Sequence, residues 1–115
     1  MPETQTARRL SLSIDKHGAC PVVRCTGRLV AGVSDLLYTE VKKLIPSSQR
    51  IVLDFTQLTH IDSTGIGTLV RLYVTAKSAG CALEIINMGN SIRQLLGVTH
   101  LLNVFETIAK HNIRL

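Results

Sequence analysis

The first regular pattern along the chain is an alternation. Leu10, Leu12 and Ile14 are separated by Ser11 and Ser13 and followed by Asp15, the period of a half-buried strand. Lys16-His17-Gly18 supplies a turn, and Pro21-Val22-Val23-Arg24-Cys25-Thr26 predicts a second strand that pairs with the first as a hairpin and ends at Gly27. The period then lengthens. Gly32 to Ser34 opens a helix with Ser34 as its N-cap and Asp35 in its first turn, after which Leu37, Val41, Leu44 and Ile45 recur on one face until Pro46 stops it. Arg50 to Phe55 is a short apolar and β-branched run, the pattern of a central strand buried on both faces, and Gln57 to Asp62 reads as its connection to the next helix.

From Gly65 onward, Ile66, Leu69, Val70, Tyr73 and Val74 keep helical spacing until Ala79-Gly80, where glycine is a natural C-terminal stop. Cys81 to Asn87 predicts another strand. Ser91 and Gln94 have capping-box spacing, and Ile92, Leu95 and Leu96 begin a short helix that Gly97 is expected to interrupt. Val104 to Ile108 reads as a last edge strand before a basic tail, while the polar segment from Met1 to Ala7 is expected to be disordered. The later strand-helix-strand crossovers require parallel neighbours. The expected fold is therefore a single α/β domain over residues 8–112, with a mixed central β-sheet and helices packed mainly on one face.

Composition narrows the functional classes. The chain has 115 residues, of which 45% are hydrophobic and 18% charged, the balance of one folded globular domain. Aromatic residues are scarce, so Val, Ile and Leu must fill the core. No apolar run approaches the roughly 20 residues of a membrane-spanning helix, and Met-Pro-Glu-Thr-Gln lacks the charged start of a secretory signal. A cytoplasmic protein without membrane insertion is the expectation. Cys20, Cys25 and Cys81 form no Cys-x-x-Cys pair, and Cys20 and Cys25 fall on opposite faces of one strand, which favours free thiols over a metal site. The net charge is +5, but cations such as Arg24, Lys42, Arg71 and Arg93 are scattered, and stacking platforms for single-stranded nucleic acid are missing. Direct nucleic-acid binding is not expected. An acidic protein partner is compatible with this surface.

Asp62-Ser63-Thr64-Gly65 stands where a helix begins, and helix N-termini offer unpaired N–H groups and a partial positive charge. Two readings follow from that geometry. In one, Asp62 or Ser63 caps the helix while Gly65 and Gly67 allow close packing. In the other, Ser63 accepts a phosphate that sits on the same N–H groups without destroying the helix. Its roughly −1.5 to −2 charges would arise beside Asp62 and near Asp54, and would be costly to desolvate in an interface. Partner release is the expected outcome.

Three stretches together resemble the STAS domain of bacterial anti-sigma factor antagonists: Ile51-Val52-Leu53-Asp54-Phe55, Leu58-Thr59-His60-Ile61, and Asp62-Ser63-Thr64-Gly65-Ile66-Gly67. Ala79 to Leu83 and Ser91 to Leu102 are similar to the family's helix end, next strand and later helix. The resemblance implies a partner-switching cycle. The unphosphorylated antagonist would bind an anti-sigma factor that is also a serine-protein kinase, freeing a sigma factor and so regulating transcription. Phosphorylation of Ser63 would break the complex and a serine phosphatase would reset it. It also implies that Asp62, Thr64, Gly65, Ile66 and Arg28 belong to the partner-binding surface. Members of the family often carry acidic residues after the Thr-Gly of strand two, whereas this chain has Thr26-Gly27-Arg28-Leu29-Val30, which points to a kinase with a different surface or to a role outside sigma control.

Competing readings are weaker. Ser63 near His60 and Asp62 lacks the Gly-x-Ser-x-Gly elbow of a hydrolase. Gly65-Ile66-Gly67 lacks the third glycine of a dinucleotide fingerprint, Val70 standing in its place, and no Walker lysine follows. The protein is thus expected to be a kinase substrate rather than an enzyme, with no cofactor and no metal. An alternative within the same resemblance is a STAS regulatory subunit of an ABC-type lipid transporter ATPase.

Overall fold

The computed structural model describes residues 10–16 and 18–98. The expected turn residue His17, the edge strand from Val104 to Ile108 and both termini lie outside the described residues. In chain order the elements are β1 (Leu10–Asp15), β2 (Val22–Leu29), α1 (Ser34–Leu44) with a closing 3₁₀ turn (Ile45–Ser47), β3 (Arg50–Ile61), α2 (Ser63–Ser78), β4 (Ala82–Ile86) and α3 (Asn90–Val98). They build one sheet in the order β1-β2-β3-β4. The β1/β2 hairpin is antiparallel, and β2/β3 and β3/β4 are parallel, as the two helical crossovers require.

The period of two along each strand sorts side chains between the faces. Val23 and Cys25 of β2, Ile51, Leu53 and Phe55 of β3, and Leu83 and Ile85 of β4 share one cluster with Leu37 and Val41 of α1, Leu69, Leu72 and Ala76 of α2, and Ile92 and Leu96 of α3. Each aliphatic side chain fully removed from water contributes about 1.5–3 kcal/mol. A core almost without aromatics is sufficient on that basis. Burial, with the charge of Asp54 adding to it, pushes the Cys25 thiol up to about 12. Cys20 is engaged elsewhere, its sulfur accepting a hydrogen bond from Arg50 Nε at 3.3 Å. All three cysteines are free.

Several boundaries differ from the expected ones, for identifiable reasons. β2 does not end at Gly27. That residue has φ of 104°, which favours glycine, and lies where the β2/β3 register slips between Gly27 and Arg28. A bulge there bends the strand without terminating it. β3 correspondingly runs on to Ile61: the polar residues Gln57, Thr59 and His60 resemble a loop in sequence, yet they are exposed positions on a strand that pairs with Thr26 to Leu29. α1 is not capped by Ser34. Val33 holds the cap position without a side-chain bond, and the Val30 carbonyl accepts the N–H groups of Val33 at 3.2 Å and Ser34 at 3.0 Å. α3 begins at Asn90 with Ser91 already inside it, and it passes Gly97, a residue that costs a helix only about 1 kcal/mol. The longer β2 and β3 matter most, because they bring Leu29 and Ile61 side by side at the point where α2 begins.

Candidate functional site at the start of the second helix

Asp62 is the N-cap of α2, with extended backbone angles of φ −118° and ψ −174°. Its Oδ1 accepts the Gly65 N–H at 2.9 Å and its Oδ2 accepts the Ala31 N–H at 3.0 Å, while its own N–H donates to the Leu29 carbonyl at 3.3 Å. One residue therefore ties the helix start to the β2–α1 connection. The Ala31 and Gly65 N–H groups, in that order, hold the Asp62 carboxyl below its usual range. Of the two capping candidates it is Asp62 that caps. Ser63 occupies the first helical position and is exposed, as is Thr64.

The glycines of the turn divide in the same way. A Cβ on Gly65 would run into the Leu29 carbonyl oxygen and lie 2.8 Å from Ile61 Cγ1, so the approach of α2 to the sheet depends on that glycine. A Cβ on Gly67 would meet nothing within 4 Å. The expectation that both glycines serve packing is corrected for Gly67, which is exposed. Gly65 and Ile66, expected in the partner-binding surface, are both buried, Ile66 in the core cluster at 8% exposure. Both pack inward in this structure, and Ser63 and Thr64 form the exposed side of the turn. Arg28 is also exposed and pairs in register with His60, one residue before Leu29 and close to the same end of the sheet.

Asp54 does not belong to this turn. It lies seven residues before the end of β3 at Ile61, about 23 Å of strand at about 3.3 Å per residue, and Ser63 follows two residues later. Burial works to raise its carboxyl, but hydrogen bonds from Thr56 and Asn87 and the charge of Arg24 outweigh that and hold it low. Arg24 also pairs with Asp15, so the carboxylate is part of a polar network on the sheet. Of these two carboxylates it is Asp62 that adjoins Ser63.

A surface groove of about 470 Å³ borders the site, lined by Thr59, His60 and Ile61 of β3 and by Ser91, Ile92, Gln94 and Leu95 of α3. Thr59 Oγ1 donates to the Gly27 carbonyl at 3.0 Å, and His60 Nδ1 lies 2.9 Å from Thr59 Oγ1. The sequence hid this groove because its β3 residues read as a loop. Among the described residues no three His, Cys, Asp or Glu side chains gather as a metal-ligand set.

A capping aspartate wired to the preceding connection, an exposed serine after it and a glycine forced by the sheet together build the turn. The profile of the STAS domain matches residues 11–112. This chain belongs to the STAS-domain family. It is 24% identical over 97 residues to an anti-sigma F factor antagonist of Paenibacillus polymyxa, covering 83% of each chain. The STAS fold is also that of the anti-sigma factor antagonist SpoIIAA in its unphosphorylated form, with a TM-score of 0.73 at 15% identity over 91% of this chain and 99% of that one. The phosphorylated form of the Bacillus cell fate determinant SpoIIAA superposes with a TM-score of 0.69 at 16% identity, covering 90% and 100% of the two chains. In this STAS domain the described residues form a mixed four-strand sheet with three helices, the α/β fold class expected from the sequence.

Proposed function

We propose that this protein is an anti-sigma factor antagonist that binds an anti-sigma factor with serine-kinase activity while Ser63 is unmodified, and is released when Ser63 is phosphorylated. The observation that carries this reading is the division of labour between two adjacent residues. Asp62 takes over the structural hydrogen bonds of the helix start, and Ser63 is left exposed at the first helical position. A phosphate on Ser63 would then lie at the positive end of α2, where anions are tolerated, and would alter the surface more than the packing. Beside the ionised Asp62 it would concentrate negative charge next to the exposed Thr64, on the side a partner would meet. Desolvating that charge opposes complex formation. The similarity to antagonists, one of them solved in a phosphorylated form, supports the same reading.

Arg28 and the net charge of +5 favour a kinase whose docking surface is acidic. The protein acts as substrate in this scheme, a separate serine phosphatase restores it, and it needs no cofactor, DNA contact or membrane insertion of its own. To test it, the protein and Ser63→Ala are incubated with ATP and a lysate of the source cells, and phosphate is mapped by mass spectrometry. Phosphate on Ser63, absent from the variant, is expected. Phosphate confined to other residues, in a lysate with demonstrated kinase activity, would sink the switch.

A further inference from the structure

A second surface stands out on the outer side of α1 and α2. Tyr38 of α1 lies beneath two cations: the Arg71 guanidinium of α2 is 4.1 Å from the ring centroid and the Lys42 ammonium 5.6 Å. Arg71 also reaches Asp35 at 3.8 Å, and its side chain is 57% exposed. A hydrogen bond with Thr75, helped by the charges of Lys42 and Arg71, pulls the Tyr38 hydroxyl below its usual range against the opposing effect of burial. An aromatic ring that holds a guanidinium in place reduces the entropy lost when that guanidinium takes a carboxylate, and Tyr and Arg are the residues most often found at the centres of protein interfaces.

The apolar part of the surface is Val74, 55% exposed, which follows Arg71 by three positions on α2. A depression of about 460 Å³ lined by Tyr38, Thr39, Lys42 and Lys43 adjoins the ring. The charges here are Lys42, Lys43 and Arg71 against Asp35 and Glu40; Arg71 reaches Asp35 and Lys43 reaches Glu40 at 3.2 Å, and Lys42 leaves the balance basic, like the whole chain. Complementarity therefore selects an acidic occupant with apolar side chains between its carboxylates.

We infer that the α1–α2 face, centred on Tyr38, Arg71, Lys42 and Val74, is a docking surface for an acidic amphipathic segment of a protein partner, separate from the Ser63 turn. Its use does not depend on the phosphorylation state of Ser63. Carboxylates of the segment would pair with Arg71 and Lys42, and an apolar side chain would cover Val74.

The test titrates isotope-labelled protein with a synthetic peptide of Glu and Leu residues in helical amphipathic order, followed by amide chemical shifts. Saturable shifts clustered on residues 35–43 and 68–78 are expected, weakening with added salt. The double variant Lys42→Glu/Arg71→Glu should lose at least tenfold in affinity, Val74→Ser should lose severalfold, and Ser63→Asp should bind as the parent does. Both surface variants are checked for the parental far-ultraviolet spectrum. Shifts spread over Arg24, Arg28 and Arg93 without saturation would overturn the proposal, as would no shifts at all. So would binding of phosphatidylglycerol vesicles through these residues while the peptide fails. Loss of peptide binding in Ser63→Asp would refute the independence of the two surfaces while leaving the proposed Ser63 switch standing.

Discussion

The inward and outward sides of the first two turns of α2 are built from neighbouring residues to different specifications. On the inward side Asp62, Gly65 and Ile66 are fixed by the fold: two backbone N–H groups on one carboxylate, a glycine without room for a Cβ, and an isoleucine in the core. On the outward side Ser63, Thr64 and Gly67 are exposed, and a Cβ on Gly67 would touch nothing within 4 Å. The contrast separates what the fold demands from what it leaves available. A helix-interior glycine that its own fold does not need costs about 1 kcal/mol relative to alanine. Gly67 lies one turn after Ser63 on the same exposed side, where the proposed reading puts the partner.

Substitutions can break that contrast from either side. The largest effect is expected for Gly65→Ala: with a backbone oxygen in the way the helix must move off the sheet, at a cost of about 3 kcal/mol in denaturant unfolding. A loss below about 0.5 kcal/mol, the size of an ordinary surface substitution, would show that the contact yields and that the inward side tolerates a side chain at this position. Asp62→Ala should follow with a loss of about 1–2 kcal/mol, since it removes the cap and the carboxylate bond that ties the Ala31 N–H to the helix start.

The pH dependence of that second loss has a definite sign. The folded carboxyl of Asp62 is held below its ordinary value of 3.8, so its contribution is fully present above that value. It disappears as the pH falls through the lower folded value. The stability gap between parent and Asp62→Ala should therefore be constant near neutrality and close in acid. A gap that widened on acidification would contradict the capping geometry.

Gly67→Ala, on the outward side, should instead stabilise the domain by up to about 1 kcal/mol while weakening partner binding. Stabilisation with unchanged partner binding would remove Gly67 from the contact surface. The smallest change in stability is expected for Ser63→Asp, within about 0.5 kcal/mol of the parent by thermal unfolding, because an anion at the first helical position is tolerated. A large destabilisation there would mean that Ser63 has a packing role.

Much of this was legible in the chain. The alternation of Leu10, Leu12 and Ile14, the apolar run from Ile51 to Phe55 and the stop at Gly80, whose φ of 76° suits glycine, each had a local cause, and the sheet and helices follow them. What the sequence obscured depended on distant partners. Thr59 and His60 are polar because they face water, and only the backbone of a lengthened β2 makes them strand. Ser34 had the chemistry of a cap, but the Val30 carbonyl decided how α1 starts. At the site, Asp-Ser-Thr-Gly announced a helix start without saying which oxygen would do the capping. That choice came from the Ala31 N–H, 31 residues earlier in the chain, which no local pattern reveals. The same holds for the two glycines, alike in sequence and distinguished only by the Leu29 carbonyl.

The central claim is that the outward face at Ser63 governs partner release. It is tested most directly by immobilising two forms of the protein, one unmodified and one carrying genetically encoded phosphoserine at position 63, in the same source-cell lysate. Bound proteins are then quantified by mass spectrometry. Retention of a serine kinase with an ATP-binding domain by the unmodified form, and a loss of at least tenfold on the phosphorylated one, is the predicted result. Equal retention by the two forms, or recovery of a transporter ATPase indifferent to the phosphate, would contradict it.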